Sequence, residues 1–344
     1  MAIPGFLTEP PRFLFFTGKG GVGKTSLASA TAISLADQGR RVLLVSTDPA
    51  SNVSEVLGCR IGHRMTAIAE VPGLWALEID PAGAAEAYRE RIVGPVRGLL
   101  PEAEIASITE QLSGSCTTEV AAFDEFTELL TDDGLAVRFD HIVFDTAPTG
   151  HTIRLLQLPG SWSSYLDAGK GDASCLGPLS GLDKHRATYA AATAALADPS
   201  RTRLVLVTRP HASAVDEAAR TAGELAGVGM ADARLAINGV LPESAAVDEL
   251  GRAIAQRERS VLESLPHALA DLPLDTFPLV GFSVIGAPAL HALIGDGAAP
   301  AASGVAHSVE GASTDDPTPG TLAALVDQIE AAGPSLIMCL GKGG

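Results

Sequence analysis

Cations are scarce in this chain. Its 344 residues carry 24 Lys and Arg against 41 Asp and Glu, for a formal net charge of −17. Such a surface repels phosphate backbones and anionic lipid, which excludes nonspecific nucleic-acid binding and predicts no nucleic-acid partner. No apolar stretch approaches the ~20 residues of a membrane span, although 46% of the residues are hydrophobic. The start Met1-Ala2-Ile3-Pro4-Gly5 has no basic region ahead of a hydrophobic one, so no secretory signal is visible. These absences predict a soluble, cytoplasmic protein. Cysteine is sparse too: Cys59, Cys116, Cys175 and Cys339 lie far apart, as core thiols or metal ligands do and a disulfide framework does not.

What is present begins at the octapeptide Gly18-Lys19-Gly20-Gly21-Val22-Gly23-Lys24-Thr25. It follows the apolar run Phe13-Leu14-Phe15-Phe16 and opens a helix-like stretch from Ser26, which is the strand, glycine loop and helix of a P-loop. Glycines let successive backbone N–H groups face a phosphate chain, and the helix N-terminus adds partial positive charge. Residues Gly18, Lys19, Gly20, Gly21, Val22, Gly23, Lys24, Thr25 and Ser26 are therefore expected to hold ATP or ADP. Lys24 would reach the β and γ oxygens and Thr25 would offer its hydroxyl to Mg²⁺.

Continuous runs of Val, Leu, Ile and Phe recur at 13–16, 42–45, 141–144, 204–207 and 235–237, with helical stretches between them. Buried parallel strands read this way, so the expected fold is an α/β doubly wound, mostly parallel sheet with its ligand at the carboxyl ends of the strands. The roughly ninety residues between the second and third runs exceed what a crossover needs, and most read as helix. With the passage 161–197 they predict a helical subdomain, at about 83–135 and 161–197, within a P-loop domain spanning 1–294. Residues 295–320 turn to Ala, Gly, Ser, Pro, Thr and Asp, as in a flexible linker. Beyond it the run Ser335-Leu336-Ile337-Met338-Cys339-Leu340-Gly341-Lys342-Gly343-Gly344 echoes the first P-loop, so 321–344 is expected to begin a second, truncated half.

A P-loop needs an acidic partner on a neighbouring strand. Asp145 ends Ile142-Val143-Phe144-Asp145, the placement of a carboxylate in the magnesium shell. Asp48 ends the run from Val42 and is expected at the same shell, orienting the attacking water. Either could instead cap the turn that follows. Asn238, followed by Gly239-Val240-Leu241-Pro242, resembles the Asn-to-Pro loop that contacts adenine in deviant P-loop ATPases, where its amide could pair with the purine edge through donor and acceptor; a turn Asn before Gly is the alternative.

The form Lys-Gly-Gly-x-Gly-Lys-Thr resembles the deviant P-loop of dimeric ATPases related to the nitrogenase iron protein, in which the lysine matching Lys19 reaches the partner's nucleotide. The match narrows with Ser46-Thr47-Asp48-Pro49-Ala50-Ser51-Asn52 and Asp145-Thr146-Ala147-Pro148-Thr149-Gly150-His151-Thr152, which look like the switch I and switch II of the arsenite-transporting ATPase family. Leu112-Ser113-Gly114-Ser115-Cys116-Thr117-Thr118-Glu119 and Lys170-Gly171-Asp172-Ala173-Ser174-Cys175-Leu176-Gly177-Pro178 resemble the two cysteine segments of that family's first half. The resemblance implies an ATP hydrolase with Lys24, Lys19 and Asp48 catalytic, coupled to arsenite or antimonite efflux through a membrane permease. It also implies a second ATPase half or homodimer partner, an arsenic metallochaperone as a further partner, and a position peripheral to the inner membrane when the permease is bound.

As(III) and Sb(III) are soft and prefer thiolate. Cys116 stands just before the helical run 117–130, whose N-terminus favours thiolate. The resemblance implies Cys116, Cys175 and His151 as metalloid ligands. Cys59 and Cys339 read as small buried hydrophobes. The same family includes ATPases that target tail-anchored membrane proteins, and that is the alternative. Only 4 Met, and no Cys-x-x-Cys pair for an intersubunit zinc, speak against it.

Overall fold

Five hydrophobic runs become parallel strands: β1 (Phe13–Thr17), β2 (Val42–Ser46), β5 (His141–Asp145), β6 (Thr202–Thr208) and β7 (Ala233–Val240). The computed structural model that contains them describes residues 3–48, 52–113, 115–146, 182–227 and 229–295. The chain divides into units Met1–Ala299 and Pro300–Gly344, and every element named here belongs to the first. The expected linker and second P-loop lie outside the described residues, apart from Gly295.

Among the described residues the sheet has eight strands in the order β3-β4-β2-β5-β1-β6-β7-β8, with β4 at Leu74–Glu78 and β8 at Leu274–Pro278, and only β3 (Thr66–Ala67) runs antiparallel to its neighbour. Every residue of β1, β2, β5 and β6 is buried, because both faces of the sheet are covered. Alternation along each strand sorts the side chains. Leu14, Phe16, Leu44 and Val143 pack under α1 (Lys24–Asp37), α2 (Val53–Leu57) and α11 (Ala287–Ile294). Phe13, Phe15, Leu43 and Phe144 pack under α5 (Ser115–Thr131), α6 (Asp133–Arg138), α7 (Leu182–Ala197), α8 (Ala212–Ala226), α9 (Glu249–Glu263) and α10 (His267–Ala270). Further out, α3 (Pro81–Val93) packs Ala84 and Ala85 on Ala121 of α5, and α4 (Glu102–Gln111) follows α3.

The stretch between β2 and β5 is mostly helix, as expected, and it also holds two strands not singled out from sequence: β3 and the parallel strand β4 (Leu74–Glu78), which pairs with β2. In β4 only Leu74 and Ala76 are buried, and its apolar run is the four residues Leu74 to Leu77 ahead of Glu78. A further strand, β8 (Leu274–Pro278), was not legible because it is an edge strand carrying an Asp and a Pro. Asp275 there accepts hydrogen bonds from the Gly5 N–H at 2.6 Å and the Phe6 N–H at 3.1 Å, which lays the N-terminal segment over that edge.

Candidate nucleotide-binding site

The loop between β1 and α1 is shaped by what presses on it. Gly18 has φ +151°, and a Cβ there would lie 2.1 Å from the Val207 carbonyl of β6. At Gly23, with φ +92°, a Cβ would lie 2.2 Å from Asn238 Nδ2. A Cβ on Gly20 meets nothing within 4 Å, so that side of the loop is open to a ligand. Gly23 is also the N-cap of α1 and offers no side-chain oxygen, and the first turn holds no acid. The leading amides of α1 therefore remain available to an anion.

Register brings the acidic partner in. Asp145 pairs with Phe16 of β1 on one side and Ser46 of β2 on the other, so the carboxyl ends of three strands converge on the loop. Thr25 Oγ1 donates to Asp145 Oδ2 at 2.8 Å. Asp145 is 1% exposed, its Oδ1 has no hydrogen-bond partner among the described residues, and burial pushes its carboxyl up to about 7 despite Thr25 and Lys24. Thr146 braces the strand end by donating its hydroxyl to the Phe16 carbonyl at 2.8 Å. Lys24, 6% exposed, donates from Nζ to the Lys19 carbonyl at 3.2 Å. Burial lowers its pKa, against the pull of Asp145 and Asp48. This is a desolvated ammonium held beside the loop.

Asp48 is half-buried at the end of β2, where its N–H donates to Ser46 Oγ at 3.3 Å. Lys19 is exposed on the loop. Asn238 is buried at the end of β7 and donates from Nδ2 to the Val22 carbonyl at 2.9 Å, so this amide buttresses the loop itself. Beside it, Gly23, Ser26, Asn238, Arg209, Leu279 and Phe282 help to line a cavity of about 240 Å³.

Two participants were not singled out from sequence. Arg209 follows β6 and its guanidinium lies over Gly239, within 2.8 Å of where a Cβ would sit. A charged residue at the carboxyl end of a buried parallel strand was the available signal. Glu78 ends β4, an element that was not foreseen, and accepts from Ser54 Oγ at 3.4 Å. Among the metalloid candidates, Cys116 falls in the first turn of α5, which begins at Ser115, rather than ahead of the helix. Cys175 and His151 lie outside the described residues.

The chain matches the anion-transporting ATPase family model over residues 11–296. An arsenical pump-driving ATPase of Escherichia coli is 57% identical over 340 residues, which cover 98% of this chain and 58% of that protein. Another, from Acidiphilium multivorum, is 55% identical over 339 residues, 98% of this chain and 57% of that protein. ATPase GET3 of Kluyveromyces lactis is 35% identical over 179 residues, 49% of this chain and 51% of that protein. The chain thus spans somewhat more than half the length of the arsenical relatives it matches.

Proposed function

Because this chain belongs to the anion-transporting ATPase family, we propose that it hydrolyses MgATP and that the hydrolysis drives export of As(III) or Sb(III) through a membrane permease. The contact between Thr25 and Asp145 at 2.8 Å, beside an uncapped helix N-terminus, is the observation that carries the nucleotide part. The efflux part is supported by relatives named arsenical pump-driving ATPases that cover 98% of this chain, against 49% for ATPase GET3.

The residues fit a small hard cation. Asp145 Oδ1 is a buried oxygen lacking a partner among the described residues, and the Thr25 hydroxyl, its proton spent on Asp145 Oδ2, keeps lone pairs free for a ligand. Thr25 would hold Mg²⁺ directly, with Asp145 and Asp48 in its shell. When bound it neutralises charge on the β and γ phosphates. Gly18 to Ser26 cradle the phosphates, and Lys24 exchanges the Lys19 carbonyl for phosphate oxygens. Asp48 orients the attacking water. Asn238 faces the base at the 240 Å³ cavity. Lys19, exposed, reaches a facing active site supplied by a second ATPase half or a second copy of the chain. Cys116, Cys175 and His151 take the metalloid, delivered by an arsenic metallochaperone, and the protein works in the cytoplasm against the inner membrane.

The test is a set of titrations and rates. Lys24→Ala should lose most nucleotide affinity, whereas Asp48→Asn should bind MgATP but turn over about a hundredfold more slowly. Antimonite should bind the parent and not a Cys116→Ser, Cys175→Ser variant. Absence of ATP hydrolysis by the parent would end the ATPase reading, parent-like hydrolysis by Lys24→Ala would move the chemistry away from the P-loop, and unaltered antimonite binding by the double variant would end the metalloid reading.

A further inference from the structure

At the other edge of the sheet, where the parallel strands begin, the segments leading into β1, β2, β5 and β6 enclose a cavity of about 610 Å³. Strands of five residues, rising ~3.3 Å per residue, put it roughly 15 Å from the P-loop. In a chain of net charge −17 its lining is basic: Arg12, Arg40, Arg203 and His141.

The charges there are unequally paired. Arg203 is satisfied, bonding Asp232 at 2.7 Å and the carbonyls of Phe6 and Thr8 at 2.8 and 3.0 Å. Of the acids lining the cavity, Asp140 is committed to Arg41, which donates to it from NH2 at 2.7 Å, Nε at 3.2 Å and the backbone N–H at 2.8 Å. Glu9 stands exposed at the rim. Arg12 makes no hydrogen bond or ion pair to a carboxylate among the described residues, although Asp140 attracts it; it donates to the carbonyls of Phe139 at 2.9 Å and Ala136 at 3.4 Å and lies 5.5 Å from the Phe13 ring centre. Arg201 lies 5.8 Å from the same ring, and the two guanidinium groups repel. The Arg40 side chain makes no hydrogen bond or ion pair among the described residues and is exposed. His141 is 8% exposed, with Nδ1 2.9 Å from the Pro11 carbonyl. That oxygen can only accept, so Nδ1 carries the proton and Nε2 is left without a protein partner among the described residues. Burial holds the His141 pKa below the ordinary value, with Arg40 and Arg12 adding to the effect and the Pro11 carbonyl and Asp140 opposing it, and an anion in the cavity would favour the charged form.

We propose that this cavity binds a small organic phosphate, with its phosphate group held by Arg12, Arg40 and His141. Two guanidinium forks and an imidazole from separate segments suit a group with three terminal oxygens better than a planar carboxylate. A lone ion would leave most of the volume empty, whereas small-molecule pockets run about 300–1,000 Å³. The source is a dissolved molecule and not a lipid headgroup, since the net charge of −17 repels an anionic bilayer and His141 is buried.

Phenyl phosphate is the probe, titrated into the full chain by calorimetry and by NMR of the His141 imidazole, assigned with His141→Gln. One equivalent should bind and shift that resonance. Arg40→Glu should weaken binding at least tenfold, and Arg40→Gln by less, both at an unchanged melting temperature because the side chain supports nothing else. Lys24→Ala should leave the affinity as it is. No shift at His141, or a loss of binding caused by Lys24→Ala and not by Arg40→Glu, would overturn the proposal. So would sedimentation with phosphatidylglycerol vesicles that Arg40→Glu abolishes. The proposal stands or falls independently of the ATPase reading.

Discussion

At the scale of single residues, the P-loop is held by a contact that leaves no slack. Asn238 Nδ2 donates to the Val22 carbonyl at 2.9 Å and occupies the space where a Gly23 side chain would go. Gly23→Ala should therefore lose nucleotide affinity both from strain at φ +92° and from collision with the amide. Asn238→Ala leaves a buried carbonyl unpaired, at about 1–3 kcal/mol of stability by urea denaturation. The two changes should not add, because the second removes the atom that the first collides with. Additive losses in the double variant would mean that the amide and the loop are not in contact. A second residue-level prediction concerns Asp140, whose carboxyl is held at about 2 by hydrogen bonds from Arg41. Its folded pKa lies below the ordinary 3.8, so the pair stabilises the fold above that value and the contribution is lost as pH falls through about 2. Both partners are well exposed, and solvent keeps the energy small. Carboxyl NMR should find the Asp140 pKa returning toward 3.8 in Arg41→Ala; an unmoved titration would assign the depression to another cause.

Among the elements, α5 runs from the segment that carries a proposed metalloid ligand to the strands under the nucleotide site. It begins at the segment carrying Cys116, and further along Phe126 packs edge-on against Phe15 and Phe144 at 6.0 and 5.5 Å between ring centres. Those strands lead into the P-loop and Asp145. The same helix is tied to α7 by the Tyr189 hydroxyl, which donates to the buried Asp124 at 2.7 Å. Phe126→Ala should cost about 3–5 kcal/mol, as large-to-small changes among buried aromatics do. Tyr189→Phe should cost about 1–3 kcal/mol, because Asp124 then loses a donor in a place water does not reach. Urea midpoints measure both, and a Phe126→Ala chain as stable as its parent would show that α5 is not anchored on those strands. At this scale legibility depended on burial. Strands β1, β2, β5, β6 and β7 announce themselves because sheet packing demands apolar residues on both faces. The Asp and Pro of β8 answer to an edge position, where composition is less constrained, whereas β4 carries an apolar run, Leu74 to Leu77, of the kind that marks its neighbours.

Across the whole molecule, the parallel sheet sends its strands' carboxyl ends to the nucleotide site and their starts to the basic cavity, so the two sites share no residue. The proposed role of Lys19 adds a dependence on assembly. If this lysine acts on a facing active site, turnover per chain should rise with protein concentration, and Lys19→Ala should flatten that rise without abolishing nucleotide binding. A rate independent of concentration in a chain that sediments as a monomer would remove the trans role.

The P-loop, its flanking strand and helix, and the acid at the end of β5 were determined by sequence alone, because phosphate binding and a two-sided buried sheet each allow few residue types at fixed spacing. Asn238 was legible as a site residue, but sequence pointed it at a purine and could not show that its Nδ2 is committed to the Val22 carbonyl. The pairing of Thr25 with Asp145 across 120 positions, the strand β4 that brings Glu78 toward them, and the meeting of Arg12, Arg40 and His141 were decided by tertiary structure. Each depends on strand order and register, which bring together residues whose local sequences carry no record of one another.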